Sequence, residues 1–88
     1  MKTRFLKSFL EDLEQISDEQ DKIEISQMIK VCEKAKFLSE IGTLKKLAGF
    51  KNVFRIKKGN YRIGLFIEIN VLVFARISHK NELYEMFS

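Results

Sequence analysis

The sequence predicts an α+β fold: two N-terminal helices pack on one face of a three- to four-stranded, mainly antiparallel sheet, and a short helical turn ends the chain. Apolar residues recur at helical spacing in residues 6–38, whereas residues 53–77 alternate with the period of strands. A sheet of this size needs one face covered, and only the two helices can cover it. At 88 residues, the chain is expected to form one domain, residues 1–88.

The N-terminal half contains the helices. Residues 1–5 fit either an edge strand or the entry to a helix. The apolar stripe that predicts the first helix consists of Leu6, Phe9, Leu10, Leu13 and Ile16. Ser17 and Gln20 then match a capping box, so Ser17 is expected to cap a second helix that ends near Phe37 or Leu38.

The C-terminal half contains the strands. Three strand-like runs cover residues 53–57, 61–69 and 71–77. Gly59 and Asn60 separate the first two and predict a hairpin, because both residues tolerate positive φ. The second turn has no glycine, so Asn70 is expected to be its left-handed residue. Asn81 is expected to cap the final helical turn.

Basic side chains are predicted to collect on the sheet face that the helices leave open. Side chains alternate faces along a strand, so Arg55 and Lys57 share one face, and Arg62 joins them if the hairpin register allows. Three residues after the third strand are expected to close one end of this surface: His79, Lys80 and Tyr84. Such a surface would suit a polyanion.

The charge distribution along the chain agrees with this prediction. Residues 1–43 carry seven basic and nine acidic side chains, a net charge of −2, whereas residues 44–88 carry nine and three, a net charge of +6. The asymmetry indicates an anionic partner for the C-terminal half, either nucleic acid or an acidic protein. A solvated lysine-rich surface is the alternative interpretation.

Composition excludes several other classes. No apolar run approaches the ~20 residues that span a bilayer, and polar residues follow the first apolar pair, so neither a membrane protein nor a secreted one is expected. The only cysteine, Cys32, lies on the apolar face of the second helix and is interpreted as a core residue in a reducing cytoplasm. With one cysteine and one histidine, no metal site and no cofactor are expected.

Four motifs carry a family resemblance. They are the approach Leu47–Gly49, the basic strand Phe54–Lys57, the hairpin Gly59–Ile63 and the ending Ser78–Tyr84. In this order they resemble the RelE/ParE superfamily of bacterial toxins, in particular its compact RelE-like branch. The N-terminal lead, helix, capping box and second helix agree as well, so the likeness covers nearly the whole chain.

The resemblance implies a cytoplasmic toxin of a type II toxin–antitoxin pair. RelE-like members cleave mRNA, typically in the ribosomal A site, without a metal: the ribose 2′-OH attacks the adjacent phosphate and leaves a 2′,3′-cyclic phosphate and a 5′-OH. ParE-like members share the fold but poison DNA gyrase, and a silent member would only bind its antitoxin, so these alternatives stay open. The implied partners are an antitoxin, mRNA and the ribosome; the toxin would be a monomer alone or a hetero-oligomer with its antitoxin.

The resemblance also assigns catalytic roles. Arg62 is expected to clamp the transition state, because a planar guanidinium can bond two phosphate oxygens. His79 is expected to transfer a proton, and Tyr84 to act as base or to orient the 2′-OH. Lys80 stands where the family has an arginine, so it keeps the positive charge but cannot bond two phosphate oxygens at once as a guanidinium can. The residues expected to bind the RNA backbone are Arg55, Lys57, Lys58 and Lys51.

Overall fold

The computed structural model describes residues 1–87. Its elements, in chain order, are β1 (Lys2–Phe5), α1 (Lys7–Gln15), α2 (Glu19–Lys34), β2 (Lys45–Lys46), β3 (Val53–Lys58), β4 (Tyr61–Glu68), β5 (Val71–His79) and α3 (Leu83–Phe87). A single 3-10 turn, Leu38–Glu40, follows α2. None of these helices is both long and apolar enough to cross a membrane.

The five strands form one sheet in the order β1-β5-β4-β3-β2. β1 pairs parallel with β5, and every other neighbouring pair is antiparallel. The predicted α+β class and mainly antiparallel sheet are therefore confirmed, with more strands than the three or four expected. Residues 2–5 form an edge strand, and Lys45 and Lys46 add a second edge by pairing with Arg55 and Phe54.

The core lies between α1, α2 and one face of the sheet. Phe9 of α1 packs on Phe74 of β5, with ring centroids 5.5 Å apart. The remaining fully buried side chains of this layer are Ile25, Cys32, Ile56, Ile63, Leu65 and Leu72. Burial raises the pKa of the Cys32 thiol to about 11, which keeps it protonated and unreactive, as a core cysteine should be.

The ends of α2 differ from the sequence-based prediction. Asp18, not Ser17, is the N-cap, because its carboxylate accepts a hydrogen bond from the backbone N–H of Asp21 at 3.1 Å. A carboxylate at this position also complements the helix dipole. The helix ends at Lys34, earlier than predicted, because Ala35 already has extended backbone angles.

The two hairpin turns are confirmed, whereas the last predicted cap is wrong. Gly59 and Asn70 both have a φ of 58°, in the left-handed region. Asn81 has a φ of 79° and turns the chain two residues before Leu83, where α3 begins, so it does not stand immediately before the helix. The chain then folds back so that α3 covers part of the sheet face opposite α1 and α2, which had been expected to be open.

Candidate functional site

The strand register brings basic side chains from three strands to one face of the sheet. Arg62 of β4 lies directly opposite Lys57 of β3, and Lys45 of β2 lies opposite Arg55. Lys80 continues the line of β5, since its backbone N–H bonds the carbonyl of Asn60 at 2.8 Å. We call these five residues the basic face: Lys45, Arg55, Lys57, Arg62 and Lys80.

The charges of the basic face act on one another. Arg55 first, and then Arg62, lowers the pKa of Lys57 from its ordinary value of 10.5, and Lys45 and Lys80 add to the effect. A positive charge disfavours another positive charge nearby, so the Lys57 ammonium releases its proton more readily than an isolated lysine would. The basic face therefore attracts anions, and the pKa of its Lys57 lies below that of an ordinary lysine.

A cleft of about 210 Å³ opens beside these cations. Its walls, which we call the arginine cleft, are Leu47, Arg55, Arg62, Asn81, Leu83 and Tyr84. Two guanidinium groups thus share one concavity with one phenol. The sequence did not indicate Leu47, Asn81 or Leu83 as wall residues, because their approach depends on where α3 lies.

The two arginines of the cleft are held by backbone carbonyls. Arg62 Nη1 donates to the carbonyls of Gly59 and Tyr61 at 3.0 and 2.9 Å, and Arg55 Nη1 donates to the carbonyl of Thr43 at 2.9 Å. Within residues 1–87, neither arginine forms an ion pair with a carboxylate. Their positive charge therefore remains available to an external anion.

Glu68 is not the partner of Arg62, although both lie on β4. Its carboxylate lies 4.0 Å from Arg4 of β1 instead. Both of those side chains are more than half exposed, so their ion pair contributes little to stability.

Tyr84 forms the wall of the cleft that α3 provides. Its side chain is 52% exposed, and its ring meets that of Phe50 edge to face at 5.2 Å. The hydroxyl lies against Gly49: a Cβ on that glycine would be 3.1 Å from the phenol oxygen. The phenol is thus supported from behind while its other side remains open to solvent and to the cleft.

His79 does not join the basic face, and that prediction is wrong. β5 runs to His79, two residues beyond its predicted end, and pairs His79 with Tyr61 and Ser78 with Arg62. Neighbouring residues of a strand point to opposite faces, so His79 lies on the helix side. Its ring packs on that of Tyr61 at 5.0 Å, and the Tyr61 hydroxyl donates to Asp21 at 3.1 Å.

The two remaining predicted RNA contacts also separate. Lys58 pairs with Tyr61, so it lies on the helix side and apart from the basic face, where it lines a cavity of about 230 Å³ with Asp21 and Glu24; its RNA contact stays a prediction. Lys51 is exposed in the loop between β2 and β3 and lines a shallow depression that meets the arginine cleft at Leu47. In residues 1–87, no three His, Cys, Asp or Glu side chains are grouped to hold a metal ion.

Comparisons with known proteins give the family. No family model matches the sequence. The chain is 33% identical over 88 residues to Toxin RelE3 of Methanocaldococcus jannaschii, a match that covers 99% of each protein.

Solved structures share the fold. A chain in the crystal structure of the RelB–RelE antitoxin–toxin complex from Methanococcus jannaschii superimposes with a TM-score of 0.79 at 29% identity, covering 97% of this chain and 99% of that chain. The isolated Escherichia coli RelE toxin has a TM-score of 0.64 at 16% identity, covering 98% and 93%, which shows a shared fold alone. The predicted resemblance is therefore confirmed, and this chain belongs to the RelE-like toxin family.

Proposed function

We propose that this chain, acting as one domain, is the toxin of a type II toxin–antitoxin system and cleaves mRNA at the arginine cleft, in the ribosomal A site. The observation that carries the proposal is the pairing of Arg55 and Arg62 in one cleft with Tyr84, with no carboxylate partner for either arginine among residues 1–87. Two guanidinium groups that no carboxylate of residues 1–87 neutralises, placed around a small concavity, fit a phosphate diester.

The proposed reaction uses only groups of the message and of the chain. The ribose 2′-oxygen attacks the adjacent phosphorus, the bond from phosphorus to the 5′-oxygen breaks, and a 2′,3′-cyclic phosphate and a 5′-OH result. One proton leaves the 2′-OH and one reaches the 5′-oxygen. Negative charge grows on the phosphorane oxygens in between, where Arg62 and Arg55 stabilise it.

Lys57 is our candidate for the proton transfer that the sequence had assigned to His79. It lies opposite Arg62, and the cations around it lower its pKa, so its amine is neutral in a larger fraction of molecules than an ordinary lysine. A neutral amine can accept the 2′-OH proton. Tyr84 lies across the cleft, where its hydroxyl can orient the ribose or protonate the leaving oxygen.

The resting position of Arg62 has a consequence for binding. Its Nη1 is bonded to two carbonyls of the β3–β4 turn. These bonds fix the guanidinium at the rim of the cleft before RNA arrives, and Nε and Nη2 remain to meet phosphate oxygens. A donor that is positioned in advance stabilises a transition state without reorganising.

The proposed partners follow from the same charges. Lys45 and Lys80 lie close enough to Lys57 to act on its charge, and Lys51 lines the depression that meets the cleft at Leu47. These three lysines would bind the backbone of the message and of ribosomal RNA, an attraction that weakens with added salt. A cognate antitoxin would cover the basic face with an acidic segment and so block it. The RelE-like neighbour from Methanococcus jannaschii is bound to its RelB antitoxin, which supports such a partner. The cytoplasm, where mRNA and ribosomes are, is the proposed location.

Induction of the chain in growing cells tests the proposal. We expect growth arrest, new mRNA 5′ ends that carry a hydroxyl, and loss of both in Arg62→Ala. DNA breaks with an SOS response and intact mRNA would assign a gyrase poison instead. If induction of a folded chain were harmless, the chain would be assigned as an inactive toxin fold that only binds its antitoxin. Either of these results would overturn the nuclease assignment.

A further inference from the structure

Because Gly64 has no side chain, two side chains of α3 can pack directly against its backbone. It lies in the middle of β4, opposite Arg55, on the face that α3 covers. A Cβ at this position would be 2.5 and 2.8 Å from Cε2 and Cζ of Phe87 and 2.9 Å from Cδ1 of Leu83. Real Cβ atoms do not approach other atoms this closely. We call Gly64 with these two side chains the glycine seat of α3.

A row of aromatic rings leads from the glycine seat to the arginine cleft. Phe87 meets Phe66 of β4 edge to face at 5.7 Å, and it also meets Phe50 edge to face at 6.3 Å. Phe50 in turn meets Tyr84 at 5.2 Å. Edge-to-face pairs have a preferred geometry, so displacement of one ring is transmitted to the next.

The position of the Tyr84 side chain is set by its neighbours. It belongs to a helix of five residues, which is too short to be stable without tertiary contacts. Phe50 contacts its ring, and Gly49, with a φ of 88°, lies directly beneath its hydroxyl. The position of the phenol depends on where α3 is seated.

We propose that Gly64 and Phe87 are positioning residues: the glycine seat fixes α3, and through the aromatic row it sets the phenol of Tyr84 against Arg55 and Arg62. The effect on RNA cleavage rests on the proposed function. The effect on the position of Tyr84 rests on packing alone.

When a side chain replaces the hydrogen of Gly64, we expect α3 to move and β4 to stay in place. β4 is the central strand of the sheet: at Gly64 it pairs with Arg55 of β3 and with Arg76 of β5, next to a register shift between Gly64 and Leu65, so its backbone is held from both sides. Phe87 stands at the end of a one-turn helix, and the atoms that would clash are the far end of its ring. Gly64→Ala is expected to leave the sheet folded and to move Phe87, and with it Tyr84.

Fluorine NMR of 3-fluorotyrosine-labelled protein tests the placement without any activity. The chain has two tyrosines, so Tyr61→Phe leaves Tyr84 as the only reporter. In that background we expect Gly64→Ala and Phe87→Ala each to shift or broaden the resonance. Gly42→Ala is the matched control, because no atom of residues 1–87 lies within 4 Å of a Cβ there and the resonance should not move.

Cleavage kinetics test the consequence. With A-site mRNA on ribosomes, Gly64→Ala should lower kcat by about 10-fold or more and leave KM within about 3-fold, since misplacement by 1 Å can cost ~100-fold. In a Tyr84→Ala background the same substitution should have no further effect, because the group that it misplaces is already absent. Phe87→Ala should also displace α3, because it removes the contacts of the ring. The positioning role can therefore still be tested if Gly64→Ala does not fold.

The outcomes separate the two proposals. An unmoved resonance in both Gly64→Ala and Phe87→Ala overturns the positioning role, and so does a full further loss of kcat from Gly64→Ala in the Tyr84→Ala background. A shifted resonance in a parent protein that cuts no RNA supports the positioning and overturns the nuclease.

Discussion

The two faces of the sheet differ most at the ends of β4 and β5, where adjacent residues belong to different surfaces. Arg62 and Ser78 face α3, whereas their neighbours Tyr61 and His79 face α1 and α2. On the first side, Arg62 joins other cations around a cleft without a carboxylate partner in the described chain. On the second side, Tyr61 bonds Asp21.

Elsewhere on β5, the charge of one cation is already neutralised within the structure. Arg76, which pairs with Gly64, donates to Asp12 of α1 from Nε at 2.7 Å and from Nη2 at 3.2 Å, and the same carboxylate accepts the backbone N–H of Ile77 at 2.9 Å. These contacts tie α1 to β5. The comparison teaches that an arginine marks a candidate anion site when no carboxylate of the described chain neutralises it, as with Arg62. An arginine paired with a carboxylate, as Arg76 is, has a structural role.

Removing the Arg62 guanidinium should have the largest effect. Arg62→Ala is expected to lower kcat for RNA cleavage by about 10²–10³-fold, because one preorganised donor to the transition-state charge is lost. Single-turnover cleavage of ribosome-bound mRNA measures it. Arg4→Ala is the control: it removes an exposed arginine of β1 whose one ion pair among residues 1–87 is the weak one with Glu68, and it should cut at the parent rate.

Replacing Lys57 should have the next largest effect. Lys57→Ala is expected to lower kcat by about 10²-fold, the usual contribution of a positioned proton-transfer group. Lys58→Ala is the matched control, since the adjacent lysine lies on the helix side and its loss should change kcat by less than about 2-fold, like a distant surface substitution. Equal losses in the two variants would contradict the distinction between the faces.

The pH–rate profile sharpens the role of Lys57. Its pKa is lowered from 10.5, so as pH rises the amine becomes neutral earlier than in an ordinary lysine, and the rate should rise through that ionisation. Arg55 is the main cause of the lowering. Arg55→Ala should therefore move this limb of the profile to higher pH, in addition to slowing the reaction. A limb that does not move would assign the proton transfer to another group.

The smallest effect is expected on the helix side. Tyr61→Phe removes the hydrogen bond to Asp21 and should lower the free energy of unfolding by about 1 kcal/mol or less. Burial, with the bond and charge of Asp21, raises the pKa of Tyr61. Its stabilisation is therefore fully present below the ordinary phenol value and is lost as pH rises through the raised one. Urea unfolding over a series of pH values from 7 upward should show a difference between the two proteins that shrinks as pH rises above the ordinary phenol value.

Local patterns predict much of the fold and part of the site. Helical spacing and strand alternation identify the layers, and the Gly59 turn fixes a register that places Arg55, Lys57 and Arg62 on one face. The side of His79 depends on where β5 ends. Because side chains alternate, an extension of two residues beyond Ile77 decides the face of the last one, and nothing in the local sequence marks that end.

Other features depend on tertiary contacts that leave no local signal. β2 has only two residues and forms because it pairs with β3, so alternation cannot reveal it. The seating of α3 depends on Gly64, which in the sequence is one glycine inside a strand. Such a glycine can indicate a close approach, but the side chain that approaches it is known only from the fold.

The most direct test compares Arg62→Ala with His79→Ala, one residue from each face. Each is induced in cells at matched protein level, and mRNA 5′ ends are mapped. We predict that His79→Ala makes the same cuts as the parent chain and that Arg62→Ala makes none. Cuts that persist in Arg62→Ala and vanish in a folded His79→Ala would contradict the assignment of cleavage to the basic face.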